Sequence, residues 1–337
     1  MTDSQPAPSP PPALVDRFGR AVRKLRLSVT DRCNFRCRYC LPEEPVWLDR
    51  ASLLSFEEIE RVVRIVAPAG VHKLRLTGGE PLLRRQLVGL VTRLKTVAGV
   101  DTVAMTTNGY HLAEHAKELR QAGLDSVTVS LDALDPELFA ELVKRPVLDR
   151  VLAGLDAALA AGFAPIKVNC VAMRGGNDDQ LLRFAEMARS GPFVVRFIEY
   201  MPLDSGDAWE MGKVLPGAEL RAQIDARWPL AAIAGDGHEP VRRYRFTDGG
   251  GEIGFISSVS EPFCGSCDRI RLTADGKLLN CLFATVEHDL KELLRGGASD
   301  AEVLAAIAAA VAAKERGHLI NQPGFLKPGR AMAAIGG

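Results

Sequence analysis

Six short runs over the first 200 residues are strand-like, 24–30, 72–76, 102–106, 126–131, 166–171 and 193–198, and in the first of them apolar and polar residues alternate with a period of two. That period sends successive side chains to opposite faces, so it predicts a strand there. Between the runs the apolar spacing lengthens to that of a helix, over 56–67, 82–97, 112–122, 148–161 and 178–190. Ser55 followed three residues on by Glu58 is a capping box that fixes the start of the first of these. Six successive strand–helix units predict parallel strands joined by helices.

A doubly wound sheet and a partial barrel both fit that order. Polar and glycine-rich clusters favour the barrel, because they recur directly after the strands: Thr30-Asp31-Arg32, Thr77-Gly78-Gly79-Glu80-Pro81, Thr106-Thr107-Asn108-Gly109, Ser130-Leu131-Asp132 and Glu199-Tyr200-Met201-Pro202. Barrels assemble sites from the C-terminal ends of many strands, whereas doubly wound sheets concentrate them at one switch point. Beyond Asp204 the alternation fails. A helix is expected over 215–227, a loop over 234–239 and strands over 241–246 and 252–256. The expected fold is α/β: an incomplete (β/α)6 TIM-type barrel over 14–230, an α+β extension over 231–337, and a disordered Pro-rich tail over 1–13.

Three cysteines, Cys33, Cys37 and Cys40, follow the first strand at C-x3-C-x2-C spacing. Three thiolates with no fourth ligand nearby can hold three irons of a cubane and leave one open, whereas a structural cluster uses four. Zinc would need a closing ligand, and the nearest histidine, His72, is far along the chain. A second group, Cys264-Gly265-Ser266-Cys267, is joined thirteen residues later by Cys281. Stretches 268–273 and 277–283 read as a hairpin turning through Ala274-Asp275-Gly276, which returns Cys281 toward the pair. A two-residue loop would set Cys281 opposite Ile270, away from Arg269 and Arg271; a three-residue loop or bulge would change that. His288 is a candidate fourth ligand for zinc here.

Charge narrows the partners. Forty-two Lys and Arg balance 42 Asp and Glu, so no whole-chain field points to nucleic acid or membrane. The longest apolar run, 303–313, is too short for a bilayer and predicts a buried helix. No signal peptide is legible at the start, and seven cysteines suit a reducing cytoplasm. Cys170 reads as a small buried residue on a core strand.

C-x3-C-x2-C after a first strand resembles the radical S-adenosylmethionine (SAM) superfamily. The runs Leu25-Arg26-Leu27-Ser28-Val29-Thr30-Asp31-Arg32-Cys33 and Cys264-Gly265-Ser266-Cys267-Asp268-Arg269-Ile270-Arg271, with Arg17-Phe18-Gly19-Arg20 and the terminal Ile335-Gly336-Gly337, resemble the molybdenum cofactor biosynthesis protein A family of GTP 3′,8-cyclases. The resemblance implies two 4Fe-4S clusters, on Cys33, Cys37 and Cys40 and on Cys264, Cys267 and Cys281. It implies SAM bound near Tyr39, Gly78, Gly79, Glu80, Ser130 and Met201. GTP would be bound by Arg26, Lys73, Arg75, Thr106, Lys167, Arg196, Arg269, Ile270 and Arg271, with Gly336 and Gly337 entering the catalytic site. A 5′-deoxyadenosyl radical would take hydrogen from C3′ of GTP, leading to 3′,8-cyclo-7,8-dihydro-GTP.

An electron donor and cyclic pyranopterin monophosphate synthase are the further partners implied, and a homodimer is allowed. Two other readings stand beside this one: a peptide-modifying radical SAM enzyme with an auxiliary cluster, and a non-catalytic zinc-binding protein. Each inward cation, taken alone, could instead pair with Glu80, Glu199 or Asp132.

Overall fold

The computed structural model describes residues 11–204, 209–235 and 237–336. Most of the expected Pro-rich tail, 1–10, and the terminal Gly337 lie outside them. Ordered packing begins early, with Leu14 buried and its N–H donated to the Ala69 carbonyl at 3.0 Å.

Six parallel strands pair in chain order: β1 (Lys24–Ser28), β2 (Lys73–Thr77), β3 (Thr102–Thr107), β4 (Ser126–Ser130), β5 (Ile166–Ala172) and β6 (Phe193–Glu199). Their connections carry α1 (Phe56–Val66), α2 (Leu87–Lys95), α3 (Leu112–Gln121), α4 (Pro136–Val143), α5 (Leu148–Ala160) and α6 (Leu181–Ser190). This is the incomplete barrel expected. Ser55 and Glu58 form the reciprocal capping box at α1. The single helix expected over 82–97 is broken, because Gln86 adopts a left-handed φ of 63° between a short turn at Pro81–Leu83 and α2. Helix α4 was not expected; Asp135 caps it by accepting from the Glu137 and Leu138 amides, with Pro136 at its first position.

The strand alternation has a plain consequence. Leu25, Leu27, Leu74, Leu76, Val127 and Val129 face outward and are buried beneath the helices. Arg26, Arg75, Thr128, Lys167 and Arg196 occupy the opposite, inner face. At about 25 cal/mol per Å² of apolar area, the outer layer supplies the driving force for closure. The inner layer gives no such help.

The segment after residue 230 does not build a sheet of its own. Following α7 (Gly217–Arg227), it contributes β7 (Leu230–Ile233), β8 (Arg242–Phe246), β9 (Glu252–Ile256), β10 (Arg269–Leu272), β11 (Lys277–Leu279) and β12 (His288–Asp289). Strand β10 pairs parallel to β1, matching Lys24 with Arg269 and Arg26 with Arg271, and β9 pairs parallel to β6. The result is one sheet ordered β12-β11-β10-β1-β2-β3-β4-β5-β6-β9-β8-β7, extended at both edges by the later strands. Helices α8 (Leu290–Arg295), α9 (Asp300–Ala312) and α10 (Met332–Ile335) complete the chain.

The hairpin register resolves the alternative left open above. Arg271 faces Leu279, Leu272 faces Leu278, and the Thr273 amide donates to the Lys277 carbonyl at 2.9 Å, leaving a three-residue loop. Gly276 takes φ 80°, a conformation that glycine adopts without strain. Continued outward, this register sets Cys281 opposite Arg269 rather than Ile270, on the face shared by the two arginines.

Candidate active site

The loop after β1 is docked backbone to backbone on the loop after β2. Gly79 donates its N–H to the Thr30 carbonyl at 2.8 Å, and Glu80 to the Arg32 carbonyl at 2.7 Å. A Cβ on Gly79 would sit 2.3 Å from the Arg32 oxygen and 2.4 Å from that of Asp31. One on Gly78 would sit 2.6 Å from the Thr30 oxygen. The glycines are therefore required by the chain itself, to bring the Cys33 loop into place.

Glu80 is buried, and its carboxylate accepts from the Leu82 amide (3.0 Å), the Thr107 hydroxyl (2.7 Å) and the Asn108 amide (2.7 Å). Burial outweighs these three donors and pushes Glu80 up to about 7. The Asn108 side chain then reaches Asn34 at 2.8 Å and lies 3.8 Å from the Cys33 sulfur. The Tyr39 hydroxyl donates to Asp132, which also accepts from the Val171 amide at 2.8 Å and is pushed up to about 6 by burial.

Burial and then Glu80 push the Cys33 thiol up to about 11. Burial, then Cys33, push Cys40 up to about 12, and Cys37 is raised well above its ordinary value by burial and then Cys40. The three thiols thus oppose one another's ionisation at close quarters. All seven cysteines are free.

The second group is held differently. Arg20, 8% exposed, donates to the Cys264 carbonyl at 2.7 Å, to those of Arg316 and Glu315 at 3.1 and 2.6 Å, and to Asp16 at 2.5 Å. Cys267 receives the Lys314 ammonium at 3.4 Å and the Arg269 guanidinium at 3.7 Å. Burial disfavours its thiolate, yet Arg269 and Lys314 outweigh burial and bring Cys267 down to about 7. The Phe283 amide donates to the Cys281 sulfur at 3.4 Å.

Both donor sets fit a multi-iron cluster better than a single ion. Each group offers three sulfurs, of which Cys33, Cys281 and Cys267 receive N–H donors from Phe35, Phe283 and Lys314. Tetrahedral zinc would draw its sulfurs to within about 4 Å of one another. A cubane instead spreads its ligands over separate irons. His288 lies on β12, paired to Leu278.

Between the two groups lies a set of cations. Arg26 is held well below its ordinary value by burial, then by Arg271, Arg75, Arg269 and Arg196. Arg75 is brought down to about 10 by burial and Arg196, Arg271 to about 10 by burial and Arg269, and Lys167 to about 8 by burial, Arg196 and Arg75. Arg75 donates to Thr106 and Thr128 at 3.2 and 3.1 Å. Among the described residues none of these six side chains forms an ion pair within 4 Å. The carboxylates that were candidates for neutralising them are engaged elsewhere: Glu199 accepts from the Gly217, Val259 and Ser260 amides, and Glu80 and Asp132 as described.

The C-terminal tail spans the gap. The Ala333 amide faces the Cys40 sulfur and favours its thiolate, and Arg271 donates to the Gly336 carbonyl. Gly337 lies outside the described residues. Of the remaining expected site residues, Ser130 and Met201 are half-buried, with Met201 packed on a small apolar cluster that includes Leu203, Leu279 and Ile335. Lys73 is exposed at the N-terminal end of β2, outside the buried set. Ile270 turns its side chain outward into the core, leaving only its backbone to face the interior. Sequence reasoning did not single out Arg20, Asn108, Asp132 or Lys314 for these contacts. Asn108 and Asp132 carried a signal by lying in the clusters after β3 and β4; the lysine carried none.

Comparison with known proteins gives the fold and the site a family. Residues 27–188 match the radical SAM superfamily model and residues 193–320 the Molybdenum Cofactor Synthesis C model. A GTP 3′,8-cyclase from Xanthomonas campestris pv. campestris is 50% identical over 288 residues, covering 84% of this chain and 85% of that one. The GTP 3′,8-cyclase of Rhodopirellula baltica is 44% identical over 333 residues, 97% and 93% of the two chains. Molybdenum cofactor biosynthesis protein 1 of Mus musculus is 45% identical over 307 residues, 90% of this chain and 48% of that one. Among solved structures, Streptococcus suis SuiB bound to S-adenosylmethionine superposes with a TM-score of 0.61 at 15% identity, over 87% and 69% of the chains, a likeness of fold. The chain belongs to the GTP 3′,8-cyclase family of the radical SAM superfamily.

Proposed function

We propose that this chain performs the GTP 3′,8-cyclase reaction at the opening of molybdenum cofactor synthesis, with GTP held between two iron–sulfur clusters. Membership of the radical SAM superfamily brings SAM and an iron–sulfur cluster, and Cys33, Cys37 and Cys40 are the residues suited to hold that cluster. The second cluster, on Cys264, Cys267 and Cys281, is our own reading, as are the individual site residues. When bound, SAM and its cluster supply the radical that abstracts hydrogen from the ribose.

The observation that carries this reading is the unpaired inner cation set. Charges half or wholly withdrawn from water with no ion-pair partner within reach are costly; Glu239 and Glu252 ease only Arg196 and Lys167, so the six together favour an anionic occupant. A nucleoside triphosphate, with about four negative charges, neutralises most of them at once. Arg26, Arg75, Lys167, Arg196, Arg269 and Arg271 bind and orient it, while Thr106 and Thr128 hold the Arg75 guanidinium in place. Gly78 and Gly79 fix the first cysteine loop, and Tyr39 pins it to Asp132. The tail, through Ala333 and Gly336, closes the space between the two cysteine groups and excludes water from it.

The test is anaerobic reconstitution followed by incubation with SAM, GTP and a strong reductant. About eight irons per chain and GTP-dependent 5′-deoxyadenosine, with a cyclised nucleotide, are expected. SAM cleavage indifferent to GTP would overturn the reading.

A further inference from the structure

Lys314 follows α9 and is 2% exposed, yet among the described residues no carboxylate lies within ion-pairing distance of its ammonium. Its Nζ donates instead to the Arg269 carbonyl at 2.6 Å and to the Cys267 sulfur at 3.4 Å. A buried ammonium satisfied only by a neutral carbonyl is costly, and among the described residues the sulfur is the one group bonded to it that can carry a full negative charge. The head group is engaged by both contacts, at the backbone of Arg269 and at the Cys267 sulfur. A lysine that merely capped the end of a helix would bond that helix's own last carbonyls. Here the bonds reach across to β10 and to the turn before it.

We propose that Lys314 is the counter-cation of the second cysteine site: its ammonium hydrogen-bonds the Cys267 thiolate and raises the reduction potential of the cluster held there. This rests on the second-cluster reading above. Donors and positive charge at a cluster sulfur stabilise the more negative, reduced state, so hydrogen bonding around the ligands is one of the levers that set the potential. Lys314 is a positioning and tuning residue in this account; it touches neither SAM nor GTP. The same account explains why the side chain is sunk rather than left in solvent, where screening would cancel its effect.

The experiment uses the full chain with Cys33, Cys37 and Cys40 replaced by Ala, so that only the second site can hold iron, and compares Lys314→Met and Lys314→Arg in that background. Iron content is measured first, then the cluster is titrated with dithionite and followed by electron paramagnetic resonance. About four irons per chain are expected in all three proteins. At a fixed applied potential the reduced-to-oxidised ratio should fall about tenfold in Lys314→Met, a drop of about 59 mV for a one-electron couple. Lys314→Arg should stay within about threefold of its parent. A Lys314→Met protein with full iron and an unmoved potential overturns the proposal and leaves the lysine a structural pin. If Lys314→Met retains no iron, Lys314→Gln, which keeps a donor for the Arg269 carbonyl without the charge, is titrated in its place and read by the same criterion. No iron in the parent triple variant would instead overturn the second-cluster reading, and this inference with it.

Discussion

The loop carrying Cys33, Cys37 and Cys40 and the turn carrying Cys264 and Cys267 offer similar donors to opposite surroundings. The first lies against Glu80 and Asp132; burial first, then Glu80 at Cys33 and the neighbouring Cys33 at Cys40, push these thiols up to about 11 and 12. The second lies against Arg269 and Lys314, which outweigh burial and bring Cys267 down to about 7, while burial raises Cys264. Negative surroundings make a cluster harder to reduce and its electron more readily given up; positive surroundings do the reverse. If both cysteine groups hold clusters, as proposed, one sheet would present a more reducing end and a more electron-retaining end to the same cation-lined space. The asymmetry suits a division of work in which SAM is cleaved at the first loop and the substrate is held at the second.

The sharpest way to break that division is to remove one ligand from each side. Cys33→Ala should abolish 5′-deoxyadenosine formation altogether, whereas Cys264→Ala should keep SAM cleavage while losing the cyclised product. Each should lower iron from about eight to about four per chain. Equal loss of SAM cleavage in both would end the comparison. Next in size is the nucleotide site: Arg269→Ala with Arg271→Ala removes two charge-assisted contacts worth about 1.5–3 kcal/mol each, so GTP should bind about a hundredfold more weakly or worse. SAM affinity should hold, and calorimetry on the reconstituted protein reads both.

Much of this was legible before the fold was known, and the boundary between what was and was not follows sequence distance. The strands β1 to β6, the α1 capping box and the cysteine spacings are local patterns. The pairing of β10 with β1 joins positions more than 240 residues apart, and nothing local in 269–272 announces it. Arg20 belongs to a recognisable run, yet its partners Cys264, Glu315 and Arg316 lie between 244 and 296 residues away. The Cys281 register hung on one glycine torsion, which a sequence permits without dictating. Gly78 and Gly79 were marked for the SAM site, while their packing against the chain's own Thr30–Arg32 backbone was not legible in the sequence.

A milder test addresses the space between the two ends. Lys167 is brought down to about 8 by burial, Arg196 and Arg75, and a bound triphosphate will raise it again. Below pH 8 the lysine is already charged and GTP affinity should be flat. Above pH 8 binding must first take up a proton, so affinity falls with rising pH, by about tenfold between pH 7 and 9. Lys167→Met should bind more weakly at pH 7 and lose most of that slope. Titration calorimetry in buffers of different ionisation heat measures both the affinity and the proton taken up.

The smallest effect separates the ways the two ends are fastened. The first loop is fixed by backbone contact through Gly79, where an added methyl meets two carbonyl oxygens at 2.3 and 2.4 Å. The second is fixed by a guanidinium, Arg20, whose fork spans three carbonyls and Asp16. Gly79→Ala should cost about 1–3 kcal/mol locally as the loops are forced apart. Arg20→Lys keeps the charge beside Asp16 but loses the fork, at about 1–3 kcal/mol for the carbonyls left bare. With a chelator present, the first variant should shed iron several-fold faster from the Cys33 site alone, and the second from the Cys264 site alone. Mössbauer spectra of the half-depleted proteins tell the two losses apart. If either substitution loosened both sites equally, the two fastenings would be one cooperative unit, and the electrostatic contrast would have to be read as a property of the whole barrel rather than of its ends.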